Sequence, residues 1–304
     1  MALGHDGRLF ILAFDHRGSF KKKMFGISGR EATDAELARL TDAKHLVWEG
    51  VLAALEAGVP RESVGVLVDE ELGAAVAKAA KSAGLTLAMP VEASGKNVFD
   101  FEYGEDFGVH IEAFDPDFTK VLVRWNPEDE PGVKQLQAER LTRLGDWLRR
   151  RNRTFLFELL VPATTSQLAL LGDRAAAYDT EVRPYLTLAA IEEIRQAGIE
   201  PDIWKIEGLD RRLSCELLAD LIRRDGRDDV VAVVLGRGAD EIKVAHWLEM
   251  GAGVPGYAGF AIGRTIWWAG VEGYKNGTLT RPAAVEMIAE TYRHFVDVYT
   301  KAAA

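Results

Sequence analysis

In Asp202-Ile203-Trp204-Lys205-Ile206-Glu207 a lysine interrupts an apolar run of the kind that forms a strand covered on both faces. A buried ammonium must be paired or must shed its proton, and an amine whose pKa is driven below its usual value of about 10.4 is a nucleophile towards carbonyl carbon. Alternation along the strand sets Ile203, Lys205 and Glu207 on one face and Trp204 and Ile206 on the other. The bulky pair suits packing against helices, so Lys205 is expected to point into the interior. The competing reading is a lysine salt-bridged for stability alone, because structural ion pairs perturb pKa values as well.

Charged residues recur inside or just past the other apolar runs. Asp15 and Arg17 follow Leu9 to Phe14, Asp69 follows Val64 to Val68, and Glu92 follows Thr86 to Val91. Lys120 and Arg124 lie within Lys120 to Trp125, and Glu158 within Thr154 to Val161. If the runs carrying Lys120, Glu158 and Lys205 are adjacent strands, the three side chains share neighbouring walls. A second ammonium then lowers the pKa of Lys205 by repulsion, and the carboxylate can move the protons that carbinolamine formation and dehydration require. The alternative for Lys120 is a lysine at a strand start whose stem carries its charge out to water.

Two later turns suit an anion. Leu235-Gly236-Arg237-Gly238-Ala239 and Ile262-Gly263-Arg264-Thr265 each lead from an apolar run into a helix, whose first N–H groups and positive dipole end attract phosphate. Arg237 and Arg264 add bidentate donors. Either turn alone is commonly a tight connection; together they read as a phosphate cradle. Arg124, on the face shared with Lys120, would join Arg237 in holding a second anionic group. Its alternative is an internal pair with Glu92 or Glu158.

These residues need a scaffold that gathers strand ends. Eight short apolar runs supply it: the five above, Asp202 to Glu207, Val230 to Leu235 and Tyr257 to Ile262. They alternate with helical stretches at about Asp34 to Ala57, Glu71 to Ala83, Gly132 to Arg151, Pro184 to Ala197, Arg211 to Arg224, Ala239 to Met250 and Thr265 to Lys275. A last helix is expected at about 282–299. Asp34 reads as a cap, and Gly58, Gly84, Gly198 and Gly251 as helix stops. Alternation of this kind builds a parallel sheet, and eight strands close it. An open doubly wound sheet would carry a glycine-rich loop after its first strand, where this chain has Asp15-His16-Arg17-Gly18. The expected fold is α/β, a single-domain (β/α)8 TIM barrel over residues 1–304. Such barrels place their chemistry at the C-terminal ends of the strands. The connection at about 93–118, with aromatics, acids, glycines and at most a short helix near Tyr103 to Gly108, is expected to be a lid.

Composition narrows the partners. A net charge of -10 over 304 residues argues against nucleic acid or an anionic membrane surface, while local arginines still admit a small anionic substrate. Cys215 is the only cysteine, which suits a reducing cytoplasm and excludes an internal disulfide. Met1 to Arg8 lacks the layout of a signal peptide, and no apolar run reaches the roughly 18 residues of a membrane span. Arg149-Arg150-Arg151-Asn152-Arg153 closes a helix, where cations complement the dipole, and Trp267 and Trp268 read as packing. His16 and His110 could meet near the barrel mouth, yet no histidine pair has a metal-ligand spacing, and neither a metal nor another cofactor is expected. Self-association into a homo-oligomer is left open.

From Leu9 to about Gly270 the series of motifs resembles the class I tagatose-1,6-bisphosphate aldolases. The segments are Leu-Ala-Phe-Asp-His-Arg-Gly-Ser-Phe in the first strand, Asp-Glu-Glu-Leu-Gly from Asp69, Lys-Val-Leu-Val from Lys120, Phe-Glu-Leu-Leu from Phe157, Trp-Lys-Ile-Glu from Trp204 and Gly-Phe-Ala-Ile-Gly-Arg-Thr from Gly259. Phe-Asp-His-Arg, Pro-Val-Glu and Gly-Arg-Thr-Ile are more similar still to the aldolase-type domain fused to 5-dehydro-2-deoxygluconokinase, although no kinase accompanies them here. The resemblance implies Lys205 as a Schiff-base lysine, with Asp15, Lys120 and Glu158 as proton-handling or positioning partners. It also implies Gly236 and Gly263-Arg264 as the phosphate cradle. It implies cleavage of a phosphorylated keto-sugar or keto-sugar acid, first 2-deoxy-5-keto-gluconate 6-phosphate, second a tagatose or fructose bisphosphate. A sugar-phosphate sensor without catalysis and a metal-dependent aldolase are the rivals. Where the family has an aromatic and a non-basic residue, this chain has Arg124 and Arg237, so the pocket is expected to be more cationic.

Overall fold

Runs of Val, Ile, Leu and Phe that are buried on both faces become β1 (Leu9–Ala13), β2 (Val64–Leu67), β3 (Thr86–Pro90), β4 (Phe118–Arg124), β5 (Thr154–Leu160), β6 (Ile203–Glu207), β7 (Val231–Leu235) and β8 (Tyr257–Ile262). The computed structural model describes residues 3–304. In it the eight strands pair in parallel in chain order, and β8 closes onto β1. The protein is the single-domain (β/α)8 TIM barrel that the alternation predicts.

Outside the barrel run α1 (Gly18–Phe25), α2 (Asp34–Glu56), α3 (Glu70–Ser82), α4 (Phe107–Phe114), α5 (Pro131–Arg150), α6 (Thr165–Leu171), α7 (Arg183–Gln196), α8 (Arg212–Arg223), α9 (Glu241–Gly251), α10 (Arg264–Lys275) and α11 (Arg281–Ala302). The outward-facing strand residues, Val66, Phe157, Trp204 and Phe260 among them, are buried beneath this helical ring. Trp204 thus faces the helices while Lys205 faces inward. Among the described residues no helix is long and apolar enough to cross a membrane.

Four local expectations are corrected. Thr33, not Asp34, caps α2, because its hydroxyl and the Glu36 carboxylate satisfy each other's backbone N–H in a capping box. Gly251 ends α9 from within it, whereas Gly58, Gly84 and Gly198 stand past their helices with positive φ. α1 and α6 are helices that were not anticipated, since eight and seven residues are too few for an apolar period to stand out. The connection after β3 holds a single 3-10 turn, Gly104–Asp106, that leads into the full helix α4. Phe99, Phe101, Phe107 and Ile111 bury their side chains in the core, and a single antiparallel bridge joins Glu92 to Phe101. The segment is anchored by its aromatics, and only its early residues reach the barrel mouth.

Candidate active site

Register decides which charges meet. β4, β5 and β6 lie side by side, with Glu158 directly opposite Lys205, and Lys120 one step lower, opposite Leu156. Glu158 is therefore set between two ammonium groups, and its Oε2 lies 3.0 Å from both Lys120 Nζ and Lys205 Nζ. Lys120 continues to Asp15 Oδ2 at 2.8 Å and Glu92 Oε1 at 2.6 Å. Both lysines are almost completely enclosed, 1% exposed for Lys120 and 2% for Lys205. A lysine snorkelling to solvent is thereby ruled out for position 120.

Three carboxylates around one ammonium leave Lys120 firmly charged. Burial works against its charge, but Asp15, Glu158 and Glu92 outweigh burial and raise its pKa well above the ordinary lysine range. Burial likewise opposes ionisation of Glu158 and Asp15, yet Lys120 and then Lys205 hold both carboxyl groups below their usual values. Glu92 goes the other way: burial, reinforced by the negative charge of Asp15, raises its pKa against the pull of Lys120 and Arg17. Its Oε2 is buried without a hydrogen-bond partner among the described residues. In the resting cluster Glu92 is the carboxyl group most easily protonated, whereas Glu158 rests as a carboxylate able to accept a proton.

The cluster forms the floor of a cavity of about 420 Å³. Asp15, Arg17, Glu92, Lys120, Arg124, Glu158, Lys205, Arg237, Gly238, Gly263 and Arg264, all anticipated, line it. Two others stand apart. Asp69 is buried beside the barrel, where it caps α3 through Leu72 N–H and pairs with Lys44 at 2.5 Å. Gly236 lies behind the wall, where a Cβ would come within 3.2 Å of Ile262.

The arginines divide by what they already hold. Arg17 donates from Nη2 to the Glu92 carbonyl at 2.7 Å and from Nη1 to Glu102 Oε2 at 2.9 Å, tying the β3–β4 connection to the end of β1. Arg237, in the left-handed region at φ 53, is held by Glu207 Oε1 at 2.9 Å and Asp179 Oδ1 at 2.6 Å. Arg264 has no carboxylate partner among the described residues and donates only to the Arg237 carbonyl, at 2.8 Å. It lies so close over Gly238 that a Cβ there would sit 2.8 Å from the guanidinium carbon. Gly263 precedes α10, whose N-terminus no side chain caps. An uncapped helix end beside an uncompensated guanidinium is an arrangement whose donors suit an anion. Arg124 donates to the Lys96 carbonyl at 2.9 Å and pairs with neither Glu92 nor Glu158.

Glu207, already visible in the sequence as a charge on the Lys205 face of β6, lines the cavity as well. Ser19 and Lys23 of α1 and Ser94 and Lys96 of the β3–β4 connection line it too and were not singled out from the sequence, because they carry no strand periodicity to reveal them. His16 lines the cavity, whereas His110 is paired with Glu70 at 2.9 Å and stacked on Tyr103 outside it, so the two histidines do not meet.

Residues 4–303 match the family described as "Uncharacterized protein conserved in bacteria (DUF2090)". No curated protein matches the chain by sequence. Solved structures share the fold. A Schiff-base-forming fructose-1,6-bisphosphate aldolase is 12% identical with a TM-score of 0.58, covering 96% of this chain and 94% of its own. The Plasmodium falciparum fructose-bisphosphate aldolase, solved with TRAP and a small-molecule inhibitor, is 13% identical with a TM-score of 0.65 and coverages of 98% and 91%. A Corynebacterium glutamicum protein solved as a structural-genomics target is 17% identical, with a TM-score of 0.58 and coverages of 97% and 88%.

Proposed function

The chain belongs to the DUF2090 family of bacterial proteins, and we propose that it is a class I aldolase whose Lys205 forms a Schiff base with the substrate carbonyl. The observation that carries this reading is a second lysine, Lys120, locked as an ammonium by three carboxylates, beside a Lys205 that has Glu158 as its one ion-pair partner among the described residues. Glu158 takes the proton of the Lys205 ammonium, the free amine adds to the carbonyl, and one of its two remaining protons passes to the new alkoxide to give the carbinolamine. The same carboxyl then returns its proton to that hydroxyl, which departs as water and leaves the iminium. Lys120 keeps Glu158 and Asp15 in place. The fold shared with a Schiff-base-forming aldolase supports the reading.

The substrate is a small phosphorylated keto-sugar or keto-sugar acid, its phosphate set at Arg264 and the N-terminus of α10. Our first choice is 2-deoxy-5-keto-gluconate 6-phosphate, cleaved to dihydroxyacetone phosphate and malonate semialdehyde; a tagatose or fructose bisphosphate is second. Arg124, without a carboxylate partner on the cavity wall, favours a second anionic group in either case. Borohydride added with dihydroxyacetone phosphate is expected to leave a reduced adduct, which peptide mapping assigns to Lys205. An unmodified Lys205, or full activity in Lys205→Met, rejects the Schiff base.

A further inference from the structure

His16 faces the same cavity and has no part in the steps above. Its side chain is 25% exposed. Nδ1 is buried without a hydrogen-bond partner and lies 3.9 Å from Asp15 Oδ1, beyond bonding distance. Nε2 is neither buried nor bonded among the described residues, so it is the ring nitrogen open to the cavity. The ring is held edge-on to Trp267, with centroids 5.5 Å apart and planes at 74°. Gly263 makes room for it, since a Cβ there would come within 3.1 Å of the ring and 2.4 Å of the Ala13 carbonyl.

We propose, resting on the Schiff-base reading, that His16 is the base and then the acid of the carbon–carbon step. Nε2 takes the proton of the substrate hydroxyl on the carbon that leaves as the aldehyde. The electrons of the breaking carbon–carbon bond flow into the iminium on Lys205 and make a neutral enamine. The imidazolium then returns the proton to the enamine carbon, which restores the iminium and the neutral ring, and water releases the ketone product. One proton and one electron pair are balanced over the cycle, and no oxidant or further reactant is needed.

The surroundings suit this two-way traffic. Burial, with the cations Lys44 on α2, Arg264 on α10 and Lys205 on β6, holds the imidazole pKa down at about 4 against the opposing pull of Asp15, so the resting ring is neutral and basic at Nε2. Carbon–carbon cleavage removes the positive charge at Lys205 at the moment the ring gains one. The repulsion that kept the ring neutral is thus relieved when the proton arrives, and Asp15 faces the new charge at Nδ1. The rise in basicity is driven by the reaction itself.

The test separates imine formation from proton transfer. Dihydroxyacetone phosphate alone, in deuterated water, exchanges its carbon-bound proton through the enamine, and NMR reads the rate; borohydride trapping with the same compound reads the imine. In His16→Gln and His16→Asn, exchange and cleavage are expected to fall by about 10² to 10⁴, the usual worth of a general acid–base group, with trapping at the wild-type level. Wild-type trapping with exchange within threefold of wild type overturns the role of His16 and leaves the aldolase standing. Loss of trapping in both variants overturns it too, by placing the ring in imine formation or in folding. Absence of trapping in the wild-type protein removes the aldolase reading and this role with it.

Discussion

The two ends of the barrel interior are built by the same strands on the same faces, and they could hardly differ more. Towards the N-terminal end, Leu9, Ile11, Leu67, Ala88, Phe118, Leu156, Ile203, Val233 and Ala261 fill the interior as one apolar cluster. Two residues further along, Leu156 gives way to Glu158, Phe118 to Lys120 and Ile203 to Lys205. Alternation decides that all of these point inward; distance along the strand decides whether they meet hydrocarbon or cavity. The apolar layers exclude water from beneath the charged one. Without that floor, Asp15, Glu92, Lys120, Glu158 and Lys205 would be solvated and their mutual effects screened.

If this division of labour is right, the two layers fail differently when cut. The largest effect belongs to the charged layer. Glu158→Gln and Asp15→Asn are each expected to lower turnover by about 10² to 10⁴ while inorganic phosphate still binds, as measured by steady-state kinetics and calorimetry. A two- or threefold loss in both would mean that neither carboxylate handles protons.

An intermediate effect belongs to the apolar layer. Ile203→Ala opens a cavity and should cost about 2–5 kcal/mol in denaturant unfolding, by the same amount at pH 8 and pH 5, with borohydride trapping on Lys205 preserved. His16→Gln should show the opposite pH behaviour. The unfolded wild-type chain protonates this histidine below its usual pKa of about 6.5, while the folded form resists until about 4, so the ring weakens the fold as the pH falls through that window. Removing it stabilises the variant relative to the parent at pH 5 by about 2 kcal/mol and leaves no such gain at pH 8. A pH-independent difference between His16→Gln and its parent contradicts the depressed pKa.

The smallest effect concerns the rim. Arg124→Met should raise KM for a doubly anionic substrate about tenfold, near the lower worth of a hydrogen bond to a charged group, and barely alter cleavage of an analogue lacking the distal anion. Equal losses on both compounds would make Arg124 a brace for the Lys96 carbonyl, with Arg264 left as the uncompensated guanidinium of the anion site.

The eight strands, their parallel order and the inward direction of Lys205 were legible because each depends on local patterning: short apolar runs, a period of two, and helices between them. Lys120, Glu158 and Asp15 could be named for the same reason, as charges inside or just past those runs. Tertiary structure alone decided their partners. Lys120 gathers three carboxylates, two from the turns just past β1 and β3 and one from β5, which are far apart in the chain and brought together by closure and register. Arg237 looked like a free phosphate donor, but Glu207 and Asp179 hold it; Asp69 looked like a site residue, but Lys44 and the α3 N-terminus claim it. His16 is a bare letter in a turn until α2, α10 and β6 surround it with charge and Asp15 faces its buried nitrogen. A residue's direction along a strand follows from its neighbours in sequence, whereas its charge state follows from neighbours in space, which only the closed barrel supplies.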